Sequence, residues 1–220
     1  DVNDIDFGNF IDVSDFGDAP LPYPTTLAED GARHVETGLT LGLTRDSEAD
    51  GTHSAAADAD GADEDGVTFG TMMVGALDAQ VTVNVQGAAP GGAKLDAWID
   101  FNGDGSWGGP GEQIFSAQDV VDGDNLLTLD VPSYAIAGTT YARFRVSALG
   151  GLGVGGTAAD GEVEDYQVTI ENPVATSGVF GGQNTISTDG AYSVFAADVD
   201  GDGDLDVLSA NLDYDEITWY

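Results

Sequence analysis

Cysteine is absent from the 220-residue chain, which excludes disulfide bonds, a thiolate nucleophile and zinc sites built on cysteine. Basic residues are nearly absent as well. Arg33, Arg45, Lys94, Arg143 and Arg145 stand against 40 acidic side chains, giving a formal net charge of -35. So few cations cannot build the basic surface that phosphate contacts require, and a nucleic-acid partner is excluded. Long apolar runs are also missing. None approaches the roughly 20 residues that span a bilayer, so no membrane insertion is expected, and no signal peptide is visible. The sequence opens on Asp rather than Met, and the expectation is a mature or excised stretch of a longer chain. Nowhere is helical apolar spacing sustained over the length of an ordinary helix.

What is present is enough apolar material for a core, with 41% hydrophobic and 9% aromatic residues, together with 32 glycines spread along the chain. Short alternating runs recur at Ala79 to Val85, Lys94 to Phe101, Asn125 to Val131, Thr140 to Val146 and Tyr166 to Ile170. Each is bounded by Gly, Pro, Asn or Asp, as strands with one buried face are. The expected fold is all-β: an antiparallel β-sandwich with calcium-binding loops plus a small C-terminal β-repeat, a closed barrel being the alternative. Three zones differ in texture. Residues 1–14 read as a linker or the last strand of an upstream domain, residues 15–171 hold the main strand set, and residues 172–220 form a separate segment.

Something must screen so many carboxylates, and the loops suggest what. Calcium takes six to eight oxygen ligands, which a loop supplies from alternate positions while glycines allow the turn. In DVDGDGDLD, Asp198, Asp200, Asp202 and Asp206 occupy positions 1, 3, 5 and 9 of such a loop, and the carbonyl of Asp204 would fill position 7. The alternative is a solvated acidic turn. A second loop carries Asp100, Asn102, Asp104 and Ser106, with Glu112 as a closing ligand. An EF-hand places that Glu six residues after its invariant Gly; Glu112 follows Gly105 by seven, and the flanks read as strand. A turn rich in Asp, Asn and Gly is the alternative there. A third cluster would join Asp63, Glu64 and Asp65, ahead of one strand, to Glu162, Glu164 and Asp165, ahead of another. In strand register Glu162 and Glu164 share a face and Val163 turns away. The two motifs either share a cation or stand as independent acidic turns.

Several of these segments resemble the GEVED domain. The motif itself reads Gly161-Glu162-Val163-Glu164-Asp165, and DFGDAPLPYPTTLAEDGARH at 15–34, DSEADG at 46–51, DEDGVTF at 63–69, LDAWIDFNGDGSW at 95–107 and YARFRVS at 141–147 fit in family order. The resemblance implies a module of large secreted or surface-anchored bacterial proteins with no assigned catalysis. The final segment, with Phe195-Ala196-Ala197-Asp198 and Leu205-Asp206-Val207-Leu208, resembles a single FG-GAP or VCBS-type repeat, and IDFGNFID at 5–12 resembles the end of an SdrD B or Cna-B Ig-like repeat. One propeller-type blade cannot close a ring alone.

Nothing in the sequence singles out an enzyme. Acidic pairs are too abundant to mark a glycosidase. His34 reads as part of a buried arginine-histidine pair rather than a general base, and no serine-nucleophile or phosphate-binding motif accompanies it. Gly150 to Gly156 reads as a flexible loop. Of the three tryptophans, Trp98 fits a core strand, Trp107 at the tip of the second loop is the candidate for exposure and sugar stacking, and Trp219 lies in the last segment. The expected function is a calcium-stabilised structural or adhesive module at the cell surface. A lectin-like module for extracellular polysaccharide and a fibre subunit that pairs with other copies of itself by strand addition are the alternatives.

Overall fold

The structure is a computed structural model of the chain that describes residues 14–45, 47–59, 64–173, 191–197, 206–211 and 216–219. The chain divides into two compact units, Asp1–Pro173 and Val174–Tyr220. Strands of the first unit are β1 (Ser14–Phe16), β2 (Arg33–Val35), β3 (Thr40–Leu41), β4 (Val67–Phe69), β5 (Met72–Met73), β6 (Ala79–Gln86), β7 (Ala93–Ile99), β8 (Gln113–Val120), β9 (Gly123–Leu129), β10 (Gly138–Ser147), β11 (Thr157–Ala158) and β12 (Glu162–Glu171). A single 3-10 turn, Leu27–Glu29, is the only helical element among the described residues.

Alternation in sequence becomes two facing sheets. In β6, Ala79, Val81, Val83 and Val85 point inward and are buried, while the residues between them face out. This strand is the spine of a sheet in which β9 pairs along one side and β3 and β4 along the other. Opposite lies a five-stranded sheet in the order β5-β12-β10-β7-β8. Its inner face contributes Leu95, Ala97, Ile99, Ala142, Phe144, Val146, Val168 and Ile170 to the same apolar core. The result is the all-β sandwich that short alternating runs lead one to expect. Strand β8 escapes periodicity because its pairing with β7 shifts register on both sides of Ala97, and Ala117 takes a left-handed φ of 46°.

The other face of the five-stranded sheet is covered too. A small sheet, β1-β2-β11, and the segment between β1 and β2 lie over it. The residues they cover are unusual for an interior: Asp96, Arg143, Arg145 and Asp165 are all at most 1% exposed, as are Asp15 and His34 from the covering layer. Ser14, grouped with the upstream segment on sequence grounds, opens β1 opposite Val35. In the second unit β13 (Ala191–Ala197), β14 (Asp206–Asn211) and β15 (Glu216–Trp219) form an antiparallel three-stranded sheet.

Candidate metal centre

The connection from β7 to β8 is a hairpin loop, and its base brings two carboxylates face to face. Ile99 N–H donates to the carbonyl of Glu112 at 2.9 Å, so Asp100 and Glu112 sit at the two mouths of the loop. Between them the chain is folded by its own side chains. Asp100 Oδ1 accepts the amides of Gly103 (2.7 Å) and Asp104 (3.3 Å), and Oδ2 accepts that of Gly105 (2.9 Å). Asn102 Oδ1 accepts the Asp104 amide, Asp104 Oδ1 that of Ser106, and Ser106 Oγ that of Gly108.

One oxygen each from Asp100, Asp104 and Glu112 lies within 4.8 Å of the others, the only such group of three among the described residues. Asp100 and Glu112 are buried and Asp104 is exposed, which leaves one open side. Glu112 is fully buried; its Oε2 accepts the Gly109 amide at 2.6 Å, but its Oε1 has no hydrogen-bond partner. Burial pushes the Glu112 carboxyl above its ordinary range, and the neighbouring charges of Asp100 and Asp104 add to that, against the opposing pull of the Gly109 and Asn102 amides. A buried carboxylate oxygen without a donor, beside two further carboxylates, is a local excess of negative charge that a cation would relieve. The extra residue relative to an EF-hand is taken up by strand pairing at Ile99 and Glu112, since strands rather than helices deliver the loop's ends.

Behind the loop stands an aromatic and ionic stack. Tyr23, from the segment between β1 and β2, donates its hydroxyl to Asp100 Oδ2 at 2.6 Å; burial, with Asp100 behind it, raises that phenol above its usual range. Its ring stacks on Trp107 with centroids 4.3 Å apart, and the Arg143 guanidinium lies 4.5 Å from the Trp107 ring centroid. Arg143 in turn forms a two-pronged pair with Asp165 at 2.7 and 2.6 Å, both side chains fully buried. Trp107 is 3% exposed and donates its indole N–H to the Tyr141 carbonyl. The exposure expected of it is therefore overturned: an aromatic in a polar loop was drawn inward by a tyrosine and an arginine, and it offers no face for a sugar. Trp98 is buried, as its strand position suggests.

The carboxylates of the acidic motif at 161–165 accept backbone amides from three segments. Glu162 Oε2 accepts the Leu41 amide, Glu164 Oε1 accepts the amides of Asp65 and Gly66 at 3.1 Å each, and Asp165 Oδ2 accepts that of Ala19. The residues around 64–66 and the motif do meet, but through backbone N–H donors, while Asp65 Oδ1 turns to the Leu43 amide. Tyr166 adds a third donor to Glu164, whose carboxyl burial pushes up to about 8. These carboxylates stitch loops to β12 because strands expose amides at their ends that need acceptors. Asp63 lies outside the described residues, as do Asp198, Asp200, Asp202 and Asp204; Asp206 opens β14.

His34 is buried and paired with arginine, though with Arg145 of β10 rather than its neighbour Arg33. Its Nδ1–H donates to the Asp160 carbonyl at 2.7 Å and its Nε2 accepts from Arg145 Nε at 3.0 Å. Burial and that guanidinium hold it well below its ordinary pKa, as a neutral ring. Arg145 also donates to the carbonyls of Gly153, Gly155 and Gly156, so the glycine-rich stretch read as flexible is gathered around a buried cation. Among these partners Tyr23 and Thr140, whose hydroxyl donates to the Asp100 carbonyl, carry no spacing signal that links them to the loop.

Fold and site together define an all-β sandwich module with a carboxylate-lined hairpin loop. Residues 94–169 match the model of the GEVED domain family, a span that runs from β7 into β12 and contains Asp100, Asp104, Glu112 and the 161–165 motif. No curated protein and no solved structure matches the chain.

Proposed function

We propose that this chain is a calcium-stabilised structural module of a secreted or surface protein, its cation held by Asp100, Asp104 and Glu112. One observation carries the reading: the unpartnered Oε1 of fully buried Glu112, in a group of three carboxylate oxygens within 4.8 Å of one another. Oxygen-only donors suit a hard cation. Calcium, which accepts six to eight oxygens in flexible geometry, suits an irregular loop of this kind better than magnesium, which demands a near-ideal octahedron. Asn102 and Ser106 shape the loop through their hydrogen bonds to backbone amides. The adhesive role and the location outside the cell rest on the family resemblance alone.

Thermal unfolding of the chelator-treated chain, repeated across calcium and magnesium titrations with calorimetric binding in parallel, tests the reading. A melting temperature that climbs and saturates with calcium but not magnesium supports it, because a ligand that binds only the folded state stabilises by mass action. No calcium binding to the folded chain refutes it.

A further inference from the structure

The segment that covers the ion-filled face is fastened at the cation loop. Residues 17–32, between β1 and β2, run across the outer side of β10 and β12. Their attachments are mostly polar. The Ala19 amide donates to Asp165 Oδ2 at 2.9 Å, and the Pro24 carbonyl accepts from Arg143 Nη1 at 2.8 Å. The buried apolar residues in this strap are Ala19, Tyr23 and Ala32, so few of its contacts with the sheet are apolar. At the loop, Pro22 packs so closely on Gly105 that a Cβ there would lie 2.6 Å from its Cγ, and the left-handed φ of 81° also favours glycine. The Tyr23 hydroxyl reaches Asp100.

Resting on the site proposed above, we propose that the cation loop is the clasp of this strap, so that calcium binding closes residues 17–32 over Arg143, Trp107 and Asp165. Asp100 belongs to both systems, through the carboxylate that joins Asp104 and Glu112 and through the same carboxylate's bond to Tyr23. A bound cation holds the three carboxylates together and keeps Asp100 in place as Tyr23's acceptor. Its removal leaves like charges side by side, which repel one another and draw Asp100 out of position as that acceptor. Tyr23 then loses its anchor, and with it the ring that covers Trp107. Coupling of this kind is reciprocal: whatever factor calcium contributes to strap closure, closure returns to calcium affinity.

Hydrogen exchange on the full chain, with chelator and with calcium, tests this in the wild type, in Tyr23→Phe and in Asp104→Asn. In the wild type, the amides of Ala19, Tyr23 and Gly31 should exchange at least about ten-fold more slowly with calcium, the size expected of one charge-assisted hydrogen bond gained. Tyr23→Phe keeps the ring and its stacking. It should still bind calcium calorimetrically and keep β10 and β12 protected, but its strap amides should no longer respond to calcium. Asp104→Asn, which does not touch the strap, should lose the strap response together with calcium affinity. Calcium binding to the wild type without any change in strap exchange overturns the clasp and leaves the site standing. A full calcium response in Tyr23→Phe also overturns it. Absence of calcium binding removes the site and the clasp together.

Discussion

Glu112→Gln should change the sign of its effect with the cation. In the chelated protein, Glu112 is fully buried with one oxygen on the Gly109 amide and the other unpartnered, and Asp100 and Asp104 stand beside it. A buried acceptor in that position costs about 1–3 kcal/mol, and a charged one more. Glutamine has the same shape, keeps an oxygen for Gly109, and turns an amide donor toward two carboxylates where there had been repulsion. The cation-free variant should therefore be more stable than the wild type by about 1–3 kcal/mol at pH 7.5. At about 2–4 °C per kcal/mol for a unit of this size, that is a rise of about 2–12 °C in melting temperature. With calcium at about a thousand times Kd the wild type gains about 4.1 kcal/mol, while the variant, short of a charged ligand, gains far less. The order of the two melting temperatures should then invert.

Acid supplies a second check on the same residue. The folded pKa of Glu112 is raised above its unfolded value, so its contribution is fully present below the unfolded pKa and is lost as pH rises through the folded one. Without a cation, the advantage of glutamine should be small at pH 4 and grow toward pH 8. Differential scanning calorimetry in chelator and in calcium, at both ends of that range, measures all four quantities. A variant less stable than the wild type in chelator at pH 7.5 would refute the reasoning, because it would mean that the carboxylate is satisfied as it stands.

Gly161→Ala should cost more than about 2 kcal/mol in urea unfolding, since a Cβ there would lie 1.9 Å from the Val146 carbonyl oxygen and the residue has a φ of 90°; a loss under 0.5 kcal/mol would contradict the geometry. Arg143→Met should cost about 3–5 kcal/mol by leaving the fully buried Asp165 carboxylate without its guanidinium, and the double variant Arg143→Met/Asp165→Leu should recover much of that by the same urea assay. Glu164, pushed by burial to about 8, contributes stability that is present below its unfolded pKa and lost as pH rises through about 8. Glu164→Gln should therefore flatten the stability profile between about pH 5 and 8.5, and an unchanged slope would show that the carboxyl is ionised throughout.

Strand β6 could be read from AQVTVNVQ because one of its faces meets the core and the other meets water. No such contrast marks β10. TYARFRV alternates cleanly, yet both of its faces are buried, one on Phe144 and Val146 and the other on Arg143 and Arg145, and nothing local in the sequence says that two arginines go inside. The loop at Asp100, Asn102 and Asp104 was legible since its turns are made by neighbours. Glu112 was legible only as an irregular EF-hand, its place being decided by the hairpin pairing at Ile99. Tyr23 lies 77 residues before Asp100, and Asp165 lies 146 after Ala19. Contacts at such separations are made by the sheet, and they also explain why the acidic motif at 161–165 resembles a ligand set while its carboxylates accept amides and an arginine.

Charge arithmetic separates what salt and calcium can each do. One bound calcium moves the formal charge only from -35 to -33, so it cannot act by neutralising the surface. The protein's own cations do not neutralise it either. Arg143 and Arg145 are fully enclosed, and Arg33, Arg45 and Lys94 each lie against an acid, at Asp30, Glu36 and Asp119. Self-repulsion among the remaining carboxylates is a long-range effect that any electrolyte screens, without saturation and without regard to the ion's size. The three carboxylates at the hairpin are different: one oxygen of each lies within 4.8 Å of the others, and one of them is buried with an unpartnered oxygen, so a cation there would meet specific ligands rather than a diffuse field. A cation bound there would act by position, fixing Asp100 and whatever hangs from it, and the surface charge around it would raise the local concentration of that ion.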